Sequence, residues 1–124
     1  RGVVSSLHFA PPEVLSGKGR RYASKVDSWQ LGAVLYTMLF GDLPFVKADN
    51  GSDGDLLERE SVGQVILAFS KMHHQERYEY LFATERTRSI TISDDAKDLI
   101  MNFLCPNPRM RVSLFEALTS PFLI

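Results

Sequence analysis

Cysteine is almost absent from this chain. One cysteine, Cys105, occurs in 124 residues, so an internal disulfide framework is excluded and a reducing compartment is indicated. The apolar runs are too short and too interrupted to cross a bilayer, which takes about 20 consecutive apolar residues. Neither sign of charge dominates, because 14 basic and 15 acidic residues give a net charge of -1. This balance favours neither nucleic acid nor an anionic membrane as a partner.

Phosphate-binding and metal-binding motifs are also missing. The two glycines of residues 17–19 lack the spacing of a phosphate-binding loop. Asp53 and Asp55 lack the further ligands and the closing glutamate of a calcium loop. His73 and His74 are adjacent, so they do not share a helical face, and no Cys or third His lies near them. The sequence therefore predicts no metal site.

The N-terminus carries no signal peptide, transit peptide or lipidation motif. The chain begins with Arg1 instead of Met, and residues 1–10 show no sustained hydrophobic periodicity. We therefore expect an intracellular, cytoplasmic protein, and we expect the chain to be a piece of a longer one.

A long apolar helix is the main feature that the sequence does contain. Residues 26–40 place apolar side chains on every side of a helical wheel, a pattern typical of a helix that is buried all round. Gly41 predicts its end, and Pro44 prevents its continuation. We interpret this segment as the central core helix of a small helical domain.

Four other stretches predict shorter helices. Each has an N-terminal signal such as a proline, a capping serine or a capping box, and these signals lie at Pro12, Ser61, Ser93 and Ser113. Residues 76–91 are compatible with either helix or loop. Residues 46–60 are mostly acidic and contain two turn dipeptides, so we expect a mobile loop insertion there. The predicted fold class is therefore mainly α.

Four motifs follow one another in an order known from protein kinases. They are Pro12-Glu13-Val14-Leu15, Asp27-Ser28-Trp29-Gln30-Leu31-Gly32, the Gly-x-x-Pro-Phe of residues 41–45, and Asn107-Pro108-Arg109-Met110-Arg111 followed by Glu116-Ala117-Leu118 and Pro121-Phe122. Residues 1–124 thus resemble a partial protein kinase domain. The resemblance covers the helical part of the large C-terminal lobe, from the end of the activation segment to the last helix. The matches, together with residues 96–100, resemble most closely the calmodulin-dependent type of serine/threonine kinase.

The resemblance assigns structural roles to several residues. Glu13 and Arg111 correspond to a buried ion pair, which we expect to find as a salt bridge. Asp27 corresponds to the residue that holds the backbone of the catalytic loop, although it can also cap its own helix. Pro12, Trp29 and Gly32 belong to the structural motifs, and we assign no catalytic residue to this chain.

The substrate side of the domain is represented by Ser6. The resemblance implies that this hydroxyl lies in the substrate platform, close to the catalytic aspartate. Ser5 and Ser6 stand where Gly-Thr is usual, Phe9 where Tyr is usual and Gln30 where Ser is usual. These departures leave room for a pseudokinase.

The resemblance also implies an activity for the intact parent protein. It would transfer the γ-phosphate of ATP to protein hydroxyls as a serine/threonine kinase, with ATP and Mg²⁺ held outside this chain. The partners implied are a protein substrate and the missing N-lobe and catalytic loop. We expect the chain alone to be inactive. The alternatives are a pseudokinase or docking module without catalysis, and an unrelated helical interaction domain. A Glu13–Arg111 contact argues against the last.

Overall fold

The computed structural model describes residues 9–46 and 55–119, and within these ranges the regular elements are all helical. A 3₁₀ turn spans Gly19–Tyr22. The α-helices are α1 (Pro12–Leu15), α2 (Ala23–Phe40), α3 (Asp55–Ser70), α4 (His74–Phe82), α5 (Glu85–Arg88), α6 (Asp94–Phe103) and α7 (Leu114–Ala117). The predicted mainly-α fold class is confirmed for these ranges.

Helix α2 is the longest of these helices and packs against α6, α7 and the 3₁₀ turn. It ends as predicted at Gly41, which has a φ of 75° and donates its backbone N–H to the carbonyl of Thr37 at 2.8 Å. That left-handed conformation favours glycine because it lacks a Cβ. The helix begins at Ala23, three residues before the predicted start, because the 3₁₀ turn leads directly into it.

Only one face of α2 is buried, which contradicts the expectation of a helix enclosed on all sides. The buried apolar residues recur at helical spacing and are Trp29, Ala33, Tyr36 and Phe40. Leu31, Val34 and Met38 lie on the remaining surface and are exposed, Met38 by 75%. No helix in the described ranges has the length and apolar character needed to cross a membrane.

An aromatic cluster forms the core beside this face. The Trp29 ring stacks on Phe45 with centroids 5.5 Å apart, and Phe45 meets Phe69 of α3 edge to face at 4.9 Å. Tyr36 packs 4.6 Å from Phe40 and donates its hydroxyl to the Leu81 carbonyl at 2.8 Å. Burial raises the pKa of the Tyr36 hydroxyl. The core therefore ties α2 to α3 and α4.

The structure corrects two local predictions and resolves one stretch that the sequence left undecided. Helix α3 starts at Asp55, so Ser61 lies inside it and does not cap it. The loop predicted over residues 46–60 does not hold for residues 55–60, which are helical, while residues 47–54 lie outside the described ranges. The undecided stretch 76–91 contains most of α4 and all of α5. The hydrophobic pattern missed the start of α3 because its first turn lacks the apolar periodicity used to define it.

The predicted caps of the last two helices are confirmed. Ser93 Oγ accepts the backbone N–H of Ala96 at 3.1 Å. Ser113 and Glu116 form a reciprocal capping box, with distances of 3.1 Å and 2.9 Å. The hydrogen bond from the Ser113 backbone lowers the pKa of the Glu116 carboxyl. These caps supply partners for N–H groups that the helix itself leaves unpaired.

Candidate functional site

The candidate site is built around an ion pair between α1 and the segment that precedes α7. Arg111 Nη1 lies 2.6 Å from Glu13 Oε2, and Nη2 lies 2.8 Å from Oε1. Both residues are buried, at 5% exposure for Glu13 and 1% for Arg111. The predicted salt bridge is therefore confirmed across 98 positions of sequence. The two parallel bonds fix the relative orientation of the side chains as well as their distance.

The remaining donors of the Arg111 guanidinium are also satisfied. Its Nε donates to the carbonyl of Cys105 at 2.8 Å, Nη1 donates to that of Lys25 at 2.8 Å, and Nη2 donates to that of Pro106 at 3.3 Å. With the two bonds to Glu13, all five N–H donors have acceptors. The Trp29 ring centroid lies 5.0 Å from the guanidinium carbon. This arrangement offsets the cost of burying the charge.

Lys25 is part of the same network, and sequence reasoning missed it. Its ammonium donates to the carbonyl of Arg111 at 2.5 Å and to that of Pro108 at 3.2 Å. In the sequence, Lys25 follows Arg20 and Arg21 closely, a basic stretch that is typical of a solvated surface. Nothing local distinguishes it, because its acceptors lie 83 and 86 positions away.

Asp27 lies at the fifth residue of α2, beyond the capping position. The alternative that it caps its own helix is therefore wrong, since α2 begins at Ala23. Its side chain is exposed. Next to it, Ser28 Oγ and Trp29 Nε1 are buried without a hydrogen-bond partner among the described residues. The role of Asp27 in holding a catalytic loop remains a prediction.

Gly32 and Pro12 explain two features of the packing. A Cβ atom on Gly32 would lie 2.5 Å from Phe103 Cβ and 3.3 Å from a methyl carbon of Leu104. The glycine therefore permits the close approach of α2 to α6. Pro12 is buried at the first position of α1, where its missing N–H costs no helical hydrogen bond.

The sequence-predicted site residues do not all fall in one place. Glu13, Trp29 and Arg111 come together, whereas Asp27 lies outside this network and Ser6 falls outside the described residues. No group of three or more His, Cys, Asp or Glu side chains suited to a metal ion occurs in the part of the chain that the structure describes. The expectation that the parent binds ATP and Mg²⁺ stays a prediction.

The described part of the chain is a helical lobe with α2 at its centre, stabilised by a buried glutamate–arginine pair. This arrangement is typical of the large lobe of a protein kinase. The protein kinase domain family matches residues 1–123. The chain belongs to the protein kinase family.

Similar proteins include several serine/threonine kinases. A probable serine/threonine-protein kinase of Zea mays, CCRP1, is 31% identical over 98% of the chain and 16% of its own length. The probable serine/threonine-protein kinase KCC4 of Saccharomyces cerevisiae is 34% identical over 95% of the chain and 9% of its length. Calcium-dependent protein kinase 33 of Arabidopsis thaliana is 30% identical over 99% and 19%. The chain thus spans less than a fifth of each of these three relatives.

Proposed function

We propose that this chain supplies the substrate-side and scaffolding part of a protein serine/threonine kinase. The intact protein would transfer the γ-phosphate of ATP to hydroxyl groups of a protein substrate. The observation that carries this proposal is the Glu13–Arg111 pair, in which two kinase-like motifs 98 positions apart meet in a buried bidentate contact. The kinase names of the relatives support the serine/threonine specificity.

The proposal assigns a division of labour to the intact protein. This chain would hold the end of the activation segment against α2, with Ser6 in the substrate platform. The groups that bind ATP and Mg²⁺, and the base that orients the substrate hydroxyl, would belong to other parts of the protein. The exposed carboxylate of Asp27 would accept hydrogen bonds from the backbone of the catalytic loop. We place this activity in the cytoplasm.

A kinase assay on the full-length protein tests the proposal. With Mg²⁺ and labelled ATP, we expect phosphate on serine and threonine of a mixed peptide library, and none on tyrosine. The 124-residue chain alone should neither hydrolyse ATP nor transfer phosphate, because positioning and charge stabilisation of the transferred group supply most of this catalysis. Magnesium-dependent transfer by the chain alone would contradict the division of labour.

Replacement of Ser6 tests the substrate platform. We expect Ser6→Ala to lower turnover of the full-length enzyme more than Ser5→Ala, its matched neighbour, because Ser6 corresponds to the hydroxyl near the catalytic aspartate. Phosphorylation of Ser6 should inhibit, since it adds about two negative charges beside a carboxylate. Equal and negligible effects of the two substitutions would remove Ser6 from the platform.

The second candidate is a pseudokinase or docking module, which the replacement of the usual Gly-Thr by Ser5-Ser6 favours. In that case the full-length protein would bind protein partners through the same helical lobe but would transfer no phosphate. Full-length protein that is folded, by circular dichroism, and inactive toward every peptide of the library would select this candidate.

A further inference from the structure

A cavity of about 370 Å³ lies between the loop that follows α1 and the turn at residues 106–108. Ser16, Lys18 and Tyr22 line one side, and Asn107 lines the other. The loop is held in place by backbone hydrogen bonds, among them that from Lys18 N to the Glu13 carbonyl at 2.7 Å. One wall of the cavity is thus held by a backbone hydrogen bond.

The polar groups around this cavity have unused donors. Tyr22 Oη accepts a hydrogen bond from Arg109 Nε at 3.3 Å, which leaves the phenolic O–H able to donate. Asn107 Oδ1 accepts the backbone N–H of Arg109 at 3.0 Å, which leaves its amide NH₂ able to donate. The ammonium of Lys18 is exposed and makes no side-chain hydrogen bond or ion pair within the described residues.

The negative charge in the cavity wall is already neutralised. Glu13 lines the cavity, but both of its carboxylate oxygens accept hydrogen bonds from Arg111. The hydrogen bond from Arg109 lowers the pKa of Tyr22, and the charges of Arg109, Arg21 and Lys18 act in the same direction. Three cations therefore lie near Tyr22, although the whole chain has a net charge of -1.

We propose that this cavity, here named the Lys18 cavity, binds a phosphate group, with Lys18 as the cation and Tyr22 and Asn107 as neutral donors. A phosphate monoester offers three strong acceptor oxygens and a charge of about -1.5 to -2 at pH 7, which suits a site of donors beside a cation. The phosphate can belong to a phosphorylated serine of a peptide or can be free inorganic phosphate. The proposed binding does not depend on kinase activity.

Binding is measured by fluorescence anisotropy on the full-length protein in 150 mM NaCl. The probe is a labelled peptide with a single phosphoserine, and its unphosphorylated counterpart is the ligand control. We expect saturable binding of the phosphopeptide that is at least tenfold tighter than that of the control. Inorganic phosphate should displace the probe. Displacement at similar concentrations by phosphate and by unlabelled phosphopeptide indicates a site for the phosphate group alone, whereas far stronger displacement by the peptide identifies a peptide site.

Amino-acid substitutions test which residues bind the phosphopeptide. Lys18→Gln should weaken binding about tenfold, the size of a lost charge-assisted hydrogen bond, and Tyr22→Phe should weaken it about threefold to tenfold. Lys18→Arg should keep affinity within about threefold, because it retains the charge. Arg88→Gln is the matched control, since it removes an exposed cation from α5, which does not line the cavity.

Either of two results would overturn the proposal. One is equal affinity of the wild type and Lys18→Gln for the phosphopeptide, and the other is no preference for the phosphopeptide over its control. Lys18 is exposed, so its replacement should not unfold the chain, and circular dichroism of the variant checks this directly.

Discussion

Buried and exposed ion pairs differ strongly at the scale of single residues in this protein. The Glu13–Arg111 pair is buried, bidentate and embedded in further hydrogen bonds. The Arg86–Asp42 pair joins atoms 3.5 Å apart, and about half of each side chain is exposed. Solvent screens the exposed pair but not the buried one. Removing one charge from the buried pair should therefore lower the free energy of unfolding more than removing one charge from the exposed pair.

Glu13→Gln should destabilise the fold by about 3–5 kcal/mol, because it leaves the guanidinium of Arg111 buried without its counter-charge. Asp42→Asn, the matched control, should cost less than about 1 kcal/mol. The free energy of unfolding from urea titration measures both. Equal losses in the free energy of unfolding for the two variants would show that the buried pair stabilises the fold no more than the exposed pair.

Tyr80 is predicted to limit stability at high pH. Burial raises its pKa from 10.0 to about 12. Because the folded-state pKa lies above the unfolded one, the stabilising contribution is complete below pH 10 and is lost as the pH rises toward about 12. Tyr80→Phe should therefore move the midpoint of alkaline unfolding to higher pH, measured by circular dichroism.

Tyr22→Phe serves as the control for this titration. The pKa of Tyr22 is lowered, chiefly by the hydrogen bond from Arg109, so its ionised form does not oppose folding in the same window. An alkaline midpoint that shifts upward with Tyr22→Phe but not with Tyr80→Phe would contradict the assignment.

The close contact between α2 and α6 is the main feature at the scale of elements. Gly32→Ala would place a Cβ 2.5 Å from Phe103 Cβ, and the helices would have to separate. We expect a cost of about 1–3 kcal/mol in the free energy of unfolding, as for other overpacked cores.

Gly63→Ala in α3 is the matched helical control. Its nearest neighbour outside the helix is Leu15 Cδ2 at 4.0 Å, so the added methyl meets no clash. Alanine is the better helix former, by about 1 kcal/mol, and the change should be neutral or stabilising. A Gly32→Ala variant as stable as Gly63→Ala would mean that the two helices can separate without loss.

The unpaired apolar face of α2 is the main feature at the scale of the whole molecule. Leu31, Val34 and Met38 are exposed by 45%, 39% and 75%. The resemblance to a partial domain predicts that the isolated chain exposes some of Trp29, Val34, Leu35 and Met38, whose partners would lie in the missing parts. Val34 and Met38 are exposed, and Trp29 is fully buried.

We expect the 124-residue chain to associate at micromolar concentration through this face, since contiguous apolar surface above a few hundred Å² promotes association. The double variant Leu31→Lys/Met38→Lys should sediment as a smaller species in analytical ultracentrifugation. Phe115→Lys, which changes an apolar residue of α7 exposed by 80%, is the control. Restoration of the monomer by Phe115→Lys alone would place the associating surface on α7.

The local signals in the sequence determined the ends of several helices and the family of the chain. Gly41, Ser93 and Ser113 act through neighbouring backbone groups, so their roles are visible within a few residues of sequence. The kinase motifs, read in order, also predicted the pairing of Glu13 with Arg111, although only a family resemblance carried that prediction across 98 positions.

Tertiary structure alone decided which side of α2 is buried and what Lys25 binds. The sequence shows apolar residues around the whole helix, but burial depends on which neighbours are present, and these pack on one face only. In the sequence Lys25 resembles any surface lysine, but in the fold its ammonium donates to the carbonyls of Pro108 and Arg111. In both cases the deciding contacts come from residues far away in the sequence, so no local sequence pattern indicates them.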